Sequence, residues 1–340
     1  MFAELIAKLM RREDLTSEEA AAAMAEVMEG RAADAQIAGL LVGLAMKGER
    51  PAEIVGLART MRAHAVQVSR RYDRVFDSCG TGGDRSGTFN ISSCVAVIVA
   101  ACGVKVAKHG NRSVSSASGS ADVLESLGFD LGLSPEQIAS SIDRLGFGFM
   151  FAPTHHPAMK HAGPVRQELA ARTVFNVLGP LTNPAGARAQ VVGVYSAALV
   201  PVIADVLAQL GARRAFVVHG AGGIDELSPA GVNLVCEVID GTVRSREIDP
   251  LDLGIDRCDP EELRGGTPAE NAQRIREVFA GGNGGRRSAI LLNAAGAIAA
   301  GGHAEDLREG IGIAREALDS GAATEKLEQL IAFSREPLMP

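Results

Sequence analysis

Residues 1 to about 70 carry apolar positions at helical spacing only. Thr16 and Glu19 predict a capping box ahead of an Ala-rich helix that ends at Gly30. The run "DAQIAGLLVGLAMKG" predicts a helix stopped by Gly48. Another, "PAEIVGLARTMRAHA", places Pro51 in its first turn. The pattern changes at Tyr72, where short β-rich runs begin to alternate with helical ones. "RVFDSCG" reads as a strand ending in a glycine loop, and "NISSCVAVIVAACG" as a buried helix stopped by Gly103. "VKVAKHG" reads as a strand, and "ADVLESLG" as a helix stopped by Gly128. "QVVGVYS", "RAFVVHG" and "SAILLNAAG" read as further strands, and "AGGNGGRR" (280–287) as a flexible loop. Such alternation predicts parallel strands covered by helices. The expected fold class is α/β: a small all-helical domain, residues 1–70, and a larger α/β domain, residues 71–340, with a mainly parallel central sheet.

Composition narrows the function. The chain has 340 residues, 46% of them hydrophobic and 22% charged, an ordinary balance for a globular protein with a sizeable core. A net charge of −7 argues against a nucleic-acid binder, which carries a basic face. The longest apolar run, Cys94 to Val104, is too short for a bilayer, so no membrane partner is expected. The N-terminus lacks the apolar region and cleavage site of a signal peptide. Five scattered cysteines without a CxxC pair lead to the expectation of a reduced, cytoplasmic protein.

Ligands of α/β folds gather at the carboxyl ends of strands, and three polar loops follow predicted strands. "CGTGGDRSGT" (79–88) offers backbone N–H groups that can form an anion nest. Thr88, Asn90, Ser92 and Ser93 then fall at a helix N-terminus, which also favours phosphate. The stretch is neither a dinucleotide fingerprint nor a Walker loop; a plain glycine turn with an ordinary cap is the competing reading. In "KHGNRSVSSASGSAD" (108–122), Lys108 offers a point charge and Arg112 a planar fork, with serine hydroxyls beside them. A solvated surface loop is the alternative. His109 is expected to be structural rather than a general base. "GGIDELSPAG" (222–231) puts Asp225 and Glu226 side by side, hard oxygen ligands of the kind that hold Mg²⁺ with substrate phosphates, or an ordinary acidic helix start. His155, His156 and His161 show no metal-site pattern. Arg166 and Arg172, read as one and a half helical turns apart, could meet a carboxylate, or Glu168. No spacing marks a covalent nucleophile, and the catalytic residue is left unknown.

The set "GTGGD", "NIS", "KHGNRSVSS", "SGSADVLESLG", "RTVFNVLGPLTNP" and "DELSP" resembles the anthranilate phosphoribosyltransferase family, along nearly the whole chain. The resemblance implies transfer of the phosphoribosyl group of phosphoribosyl diphosphate to anthranilate, with release of diphosphate, in tryptophan biosynthesis. It implies Mg²⁺, a homodimer built through the helical domain, and completion of that domain by part of 155–185. Carried over by motif, Gly80, Gly83, Asp84, Thr88, Asn90, Ile91, Ser92 and Ser93 would hold phosphoribosyl diphosphate. Lys108, His109, Gly110, Asn111, Arg112, Ser113, Val114, Ser115, Ser116 and Ser120 would complete the cradle. Ser92, Asp225 and Glu226 would bind Mg²⁺. Gly80, Asn111 and Arg166 would contact anthranilate, Arg166 facing its carboxylate. Three positions depart from the family pattern: Ala117, where some members carry Lys; Ala170, where Gly is frequent; and Gly222, where many have Asp. A pyrimidine-nucleoside phosphorylase, which shares the glycine loop, and a non-catalytic nucleic-acid binder are the rival readings.

Overall fold

The capping box at the start of the chain is formed. Thr16 Oγ1 accepts from the Glu19 N–H, and the Glu19 carboxylate accepts from the Thr16 N–H. The computed structural model describes residues 1–113 and 117–336. Four helices open it: α1 (Phe2–Met10), α2 (Ser17–Met28), α3 (Asp34–Lys47, ended by Gly48) and α4 (Pro51–His64, with Pro at its first position). Then follow β1 (Phe76–Ser78), α5 (Ile91–Ala101), β2 (Val106–Gly110), α6 (Ser120–Leu127), α7 (Pro135–Leu145) and β3 (Phe147–Phe151). Short helices α8 (Ala152–His155), α9 (Gly163–Leu169) and α10 (Phe175–Leu178) lead to β4 (Ala189–Gly193), α11 (Leu199–Gln209) and β5 (Arg214–His219). The chain ends with β6 (Asn233–Ile239), β7 (Thr242–Ile248), α12 (Pro268–Phe279), α13 (Gly285–Ala300), α14 (Leu307–Asp319) and α15 (Ala322–Ser334).

The seven strands form one sheet in the order β3-β2-β1-β4-β5-β6-β7. The pairs from β3 to β5 are parallel; β5–β6 and β6–β7 are antiparallel. The β6–β7 hairpin and β3 were not read from the sequence. One expected strand is corrected: "SAILLNAAG" lies inside α13, not in the sheet. A continuous apolar run fits a buried strand or a helix buried on all sides. Here nearly every residue from Ala289 to Ala300 is buried within the helix, so neither face shows the polar positions that would reveal a 3.6-residue period. The loop expected at 280–287 is likewise shorter, since Gly285 already begins α13.

Two apolar cores flank the sheet. On one side α5, α13, α14 and α15 pack over Phe76, Val106 and Phe216. On the other, α11 shares a core with the buried residues of α1–α4 and with Ala162, Val165, Val174, Phe175 and Leu178. The segment around 162–181 therefore lies against the N-terminal helices and beside the carboxyl ends of β1, β2 and β4.

Candidate active site

The sharp turn after β5 sets the site. Gly222 and Gly223 both take positive φ (84° and 82°), and the Gly220 N–H closes the turn on the Ile224 carbonyl at 2.9 Å. The chain is thereby folded back so that Asp225 lies against β4 and the glycine loop. A Cβ on Gly193 would fall 1.5 Å from the Asp225 carbonyl oxygen, and one on Gly80 2.7 Å from its Oδ2. Gly193→Ala is expected to abolish activity and to lower the thermal midpoint by several degrees, because backbone on both sides must move. An active, fully stable variant would contradict this close approach.

The glycine loop after β1 wraps this carboxylate. The Gly82 N–H donates to Asp225 Oδ2 at 2.7 Å, and the Thr81 N–H to the Gly193 carbonyl at 2.8 Å. The Asp225 N–H donates to Asp84 Oδ2 at 3.2 Å, and the Ser92 N–H, in the first turn of α5, to Glu226 Oε1 at 3.1 Å. Gly80, Asp84, Ser92, Asp225 and Glu226 are thus brought together from three segments. Burial raises the Asp225 carboxyl above the ordinary carboxylate range, and the neighbouring Asp84 raises it further. Glu226 is raised by burial and by Asp225, with Lys108 opposing.

The second loop differs from its expected use. Lys108 is 1% exposed, and its ammonium donates to the Ser78 carbonyl at 2.6 Å, beneath the loop rather than into it. Arg112 is committed to Asp122 (3.0 Å) and Glu125 (2.8 Å) of α6. The Ser113 and Gly119 N–H groups share Asp122 Oδ2, and the Asn111 N–H donates to Ser120 Oγ. Gly110 is buried beside Ser120 and Phe149, leaving no room for a Cβ. Val114, Ser115 and Ser116 lie outside the described residues. Thr88 and Gly83 lie on the loop wall, and Ile91 and Ser93 are buried in the first turn of α5.

Three polar residues that the sequence reading passed over hold the frame. Asn183 donates to Asp77 Oδ2 at 2.7 Å, while Asp77 Oδ1 accepts from the His109 N–H at 3.1 Å. Asn271 donates to Asn90 Oδ1 at 2.9 Å, and Asn90 in turn donates to the Ser118 carbonyl at 3.1 Å. Asn293 satisfies both backbone groups of Leu227, next to Glu226. An asparagine inside the apolar run of α13 is the one sequence signal that could have pointed there.

The His109 and His156 rings meet at 5.0 Å between centroids, tilted by 54°. Their Nε2 atoms, with that of His155, are buried without a partner among the described residues. Burial, with His156 beside it, pushes His109 down to about 3, so its imidazole is neutral and too weak a base to take a proton near pH 7. Arg166, on α9, is half-buried over the Phe175 ring at 5.0 Å and has no acidic partner among the described residues. The expected placement of Arg166 and Arg172 on one helix is corrected: α9 ends at Leu169, and Arg172 follows a left-handed turn at Ala170. Ala170 has φ 46°, a left-handed conformation that costs a non-glycine residue about 1 kcal/mol. Ala170→Gly is expected to raise unfolding free energy by up to about 1 kcal/mol in denaturant titration; a destabilised variant would contradict the strain. Gly222 shows the converse, a glycine at a positive φ of 84°, a backbone conformation that glycine adopts freely. Ala117 is exposed.

A family model described as "Glycosyl transferase family, a/b domain" matches residues 72–324, and one described as "Glycosyl transferase family, helical bundle domain" matches residues 3–65. The anthranilate phosphoribosyltransferase of Desulforudis audaxviator is 53% identical over 98% of this chain and 96% of its own. The chain belongs to the anthranilate phosphoribosyltransferase family. A solved anthranilate phosphoribosyltransferase from Thermus thermophilus superposes with a TM-score of 0.92 at 46% identity, covering 98% of this chain and 99% of that one. The anthranilate phosphoribosyltransferase of Saccharomyces cerevisiae, solved in complex with PRPP and Mg, gives 0.89 at 27% identity, with 98% and 97% covered. The helical unit and the mostly parallel sheet are those of this family.

Proposed function

We propose that this chain transfers the 5-phosphoribosyl group of phosphoribosyl diphosphate to the amino group of anthranilate, giving N-(5-phosphoribosyl)anthranilate and diphosphate in tryptophan biosynthesis. The observation that carries the reading is the convergence of the glycine loop, the first turn of α5 and the Asp225–Glu226 pair at one end of the sheet. It belongs to a chain 53% identical, over nearly its whole length, to a relative of that name.

The residues present fit a hard divalent cation. Asp225 and Glu226 are partly exposed carboxylates whose desolvation raises their proton affinity, and Lys108 acts on Glu226 in the opposite sense. Desolvated carboxylates of this kind are stabilised by a cation. Among the described residues no group of three or more His, Cys, Asp or Glu is arranged to enclose a metal alone, which suits an ion that substrate phosphates complete. Asp225, Glu226 and Ser92 would hold Mg²⁺. When bound, the ion neutralises charge gathering on the departing diphosphate.

The chain's own groups do the rest. N–H groups of the glycine loop and the α5 N-terminus face the phosphates. Gly80, Asn111 and Arg166 position the acceptor, the guanidinium pairing with its carboxylate. The aniline nitrogen is neutral and needs orientation more than deprotonation, in keeping with the weak basicity of His109. Part of the 155–185 segment completes the helical unit, its Ala162, Val165 and Phe175 sharing that core, and carries Arg166 on α9.

We further propose a cytoplasmic homodimer. Met10 (81% exposed), Val42 and Met46 (73%) present apolar side chains on α1 and α3, a patch suited to a second copy. Val42→Asp combined with Met46→Asp is expected to yield monomers in sedimentation; dimers persisting in the double variant would exclude this face. The transferase reading itself is tested by mass spectrometry of the product together with diphosphate release. One diphosphate per phosphoribosylanthranilate supports it; thymidine or uridine phosphorolysis in place of transfer would contradict it.

A further inference from the structure

The two cations of the 108–116 loop are engaged inside the protein, Lys108 with Ser78 and Arg112 with α6. The glycine loop is nevertheless met by a guanidinium from another segment. Arg172, on the connector between α9 and α10, donates through Nη2 to the Gly83 carbonyl. Its guanidinium lies 4.3 Å over the Tyr195 ring, and the Tyr195 N–H is itself bonded to Thr81 Oγ1 at 3.2 Å. Arg172 is exposed and has no carboxylate partner among the described residues. A charge without a counter-ion is therefore held against the loop that meets the donor's phosphates.

The direction of that hydrogen bond matters. In a trans peptide the carbonyl and the following N–H point opposite ways. With the Gly83 carbonyl turned outward to Arg172, the Asp84 N–H is turned to the other side of the loop. Gly82 and Gly83 both have positive φ (63° and 76°) and little to resist a peptide flip. A hydrogen bond to the carbonyl also polarises the peptide and strengthens its N–H as a donor. We propose that Arg172 is a positioning residue for the phosphate donor: it locks the Gly83–Asp84 peptide in its anion-binding orientation and adds fixed positive charge at the loop. The inference rests on the reading of the glycine loop as the phosphoribosyl diphosphate site. It adds a residue outside both phosphate loops, carried by the segment that packs on the helical unit.

Donor affinity is measured by calorimetry with phosphoribosyl diphosphate and Mg²⁺ alone, and steady-state constants with both substrates. Arg172→Gln is expected to weaken donor binding by about tenfold or more, with the acceptor KM within about twofold and the thermal midpoint unchanged. Arg172→Lys keeps the charge without the planar fork and is expected to recover part of the loss. Tyr195→Leu, which removes the stacking platform, is expected to weaken donor binding to a smaller degree. Donor affinity within about twofold of wild type in Arg172→Gln would overturn the proposal. So would equal losses for donor and acceptor with a lowered midpoint, which mark a merely structural role. A wild-type chain that binds the donor but does not consume anthranilate would count against the transferase reading while the Arg172 comparison still stands. A wild-type chain that does not bind the donor would overturn both.

Discussion

Replacing Asp225 with Asn is expected to lower kcat/KM by at least about a hundredfold and to raise the Mg²⁺ concentration needed for half-maximal rate. The substitution keeps the side chain's shape and one carbonyl oxygen, so the Gly82 N–H retains an acceptor. What is lost is charge at the point where the glycine loop, Asp84 and Glu226 converge. The same carboxylates make a pH prediction with a definite sign. Burial raises both Asp225 and Glu226, each helped by a neighbouring carboxylate. From about pH 4 upward the folded chain therefore holds protons that the unfolded chain has released. Metal-free stability falls as pH rises through that window towards the raised folded values, and the loss is complete above them. A cation binds the ionised forms, so the rise in thermal midpoint on adding Mg²⁺ is expected to grow from mildly acidic to neutral pH. In Asp225→Asn this growth shrinks. Asp225→Asn with unchanged rate and unchanged Mg²⁺ dependence would show that the metal lies elsewhere.

Arg166→Ala is expected to raise the acceptor KM by about one to two orders of magnitude while the donor constant moves little. A charge-assisted pair with a carboxylate contributes roughly 1.5–3 kcal/mol, and the half-buried guanidinium has no acidic partner among the described residues to replace it. The sharper comparison uses aniline, which has the amine but not the carboxylate. Wild type is expected to use aniline far less well than anthranilate, and Arg166→Ala is expected to use both about equally poorly. If the variant lost as much with aniline as with anthranilate, Arg166 would act on something other than the acceptor's carboxylate.

Much of this site could be read from short-range pattern. The glycine loop, the polar turn entering α5 and the Asp225–Glu226 pair each sit just past a strand, and α/β topology carries such positions to one edge. Distances in space were not readable. Asp122 and Glu125 lie in the first and second turns of α6, and no short-range pattern marks them, and not a ligand, as the partners of Arg112. Every residue of β2 is buried, and only the tertiary fold places the Lys108 ammonium against Ser78. The error over α13 has a similar origin. A helix buried on every side loses the polar stripe by which helices are recognised, although Asn293 within it marks the backbone of Leu227 that it holds. No short-range pattern ends α9 before Arg172, because the backbone turns left-handed at Ala170 despite a side chain that disfavours it.

Transferase activity and its metal dependence are read together from the anthranilate fluorescence on mixing the purified protein with phosphoribosyl diphosphate and Mg²⁺, with and without a chelator. The fluorescence is expected to fall only with protein, donor and metal together, and the fall to stop when the chelator is added. Folded protein that leaves the fluorescence unchanged with all three present would contradict the transferase reading.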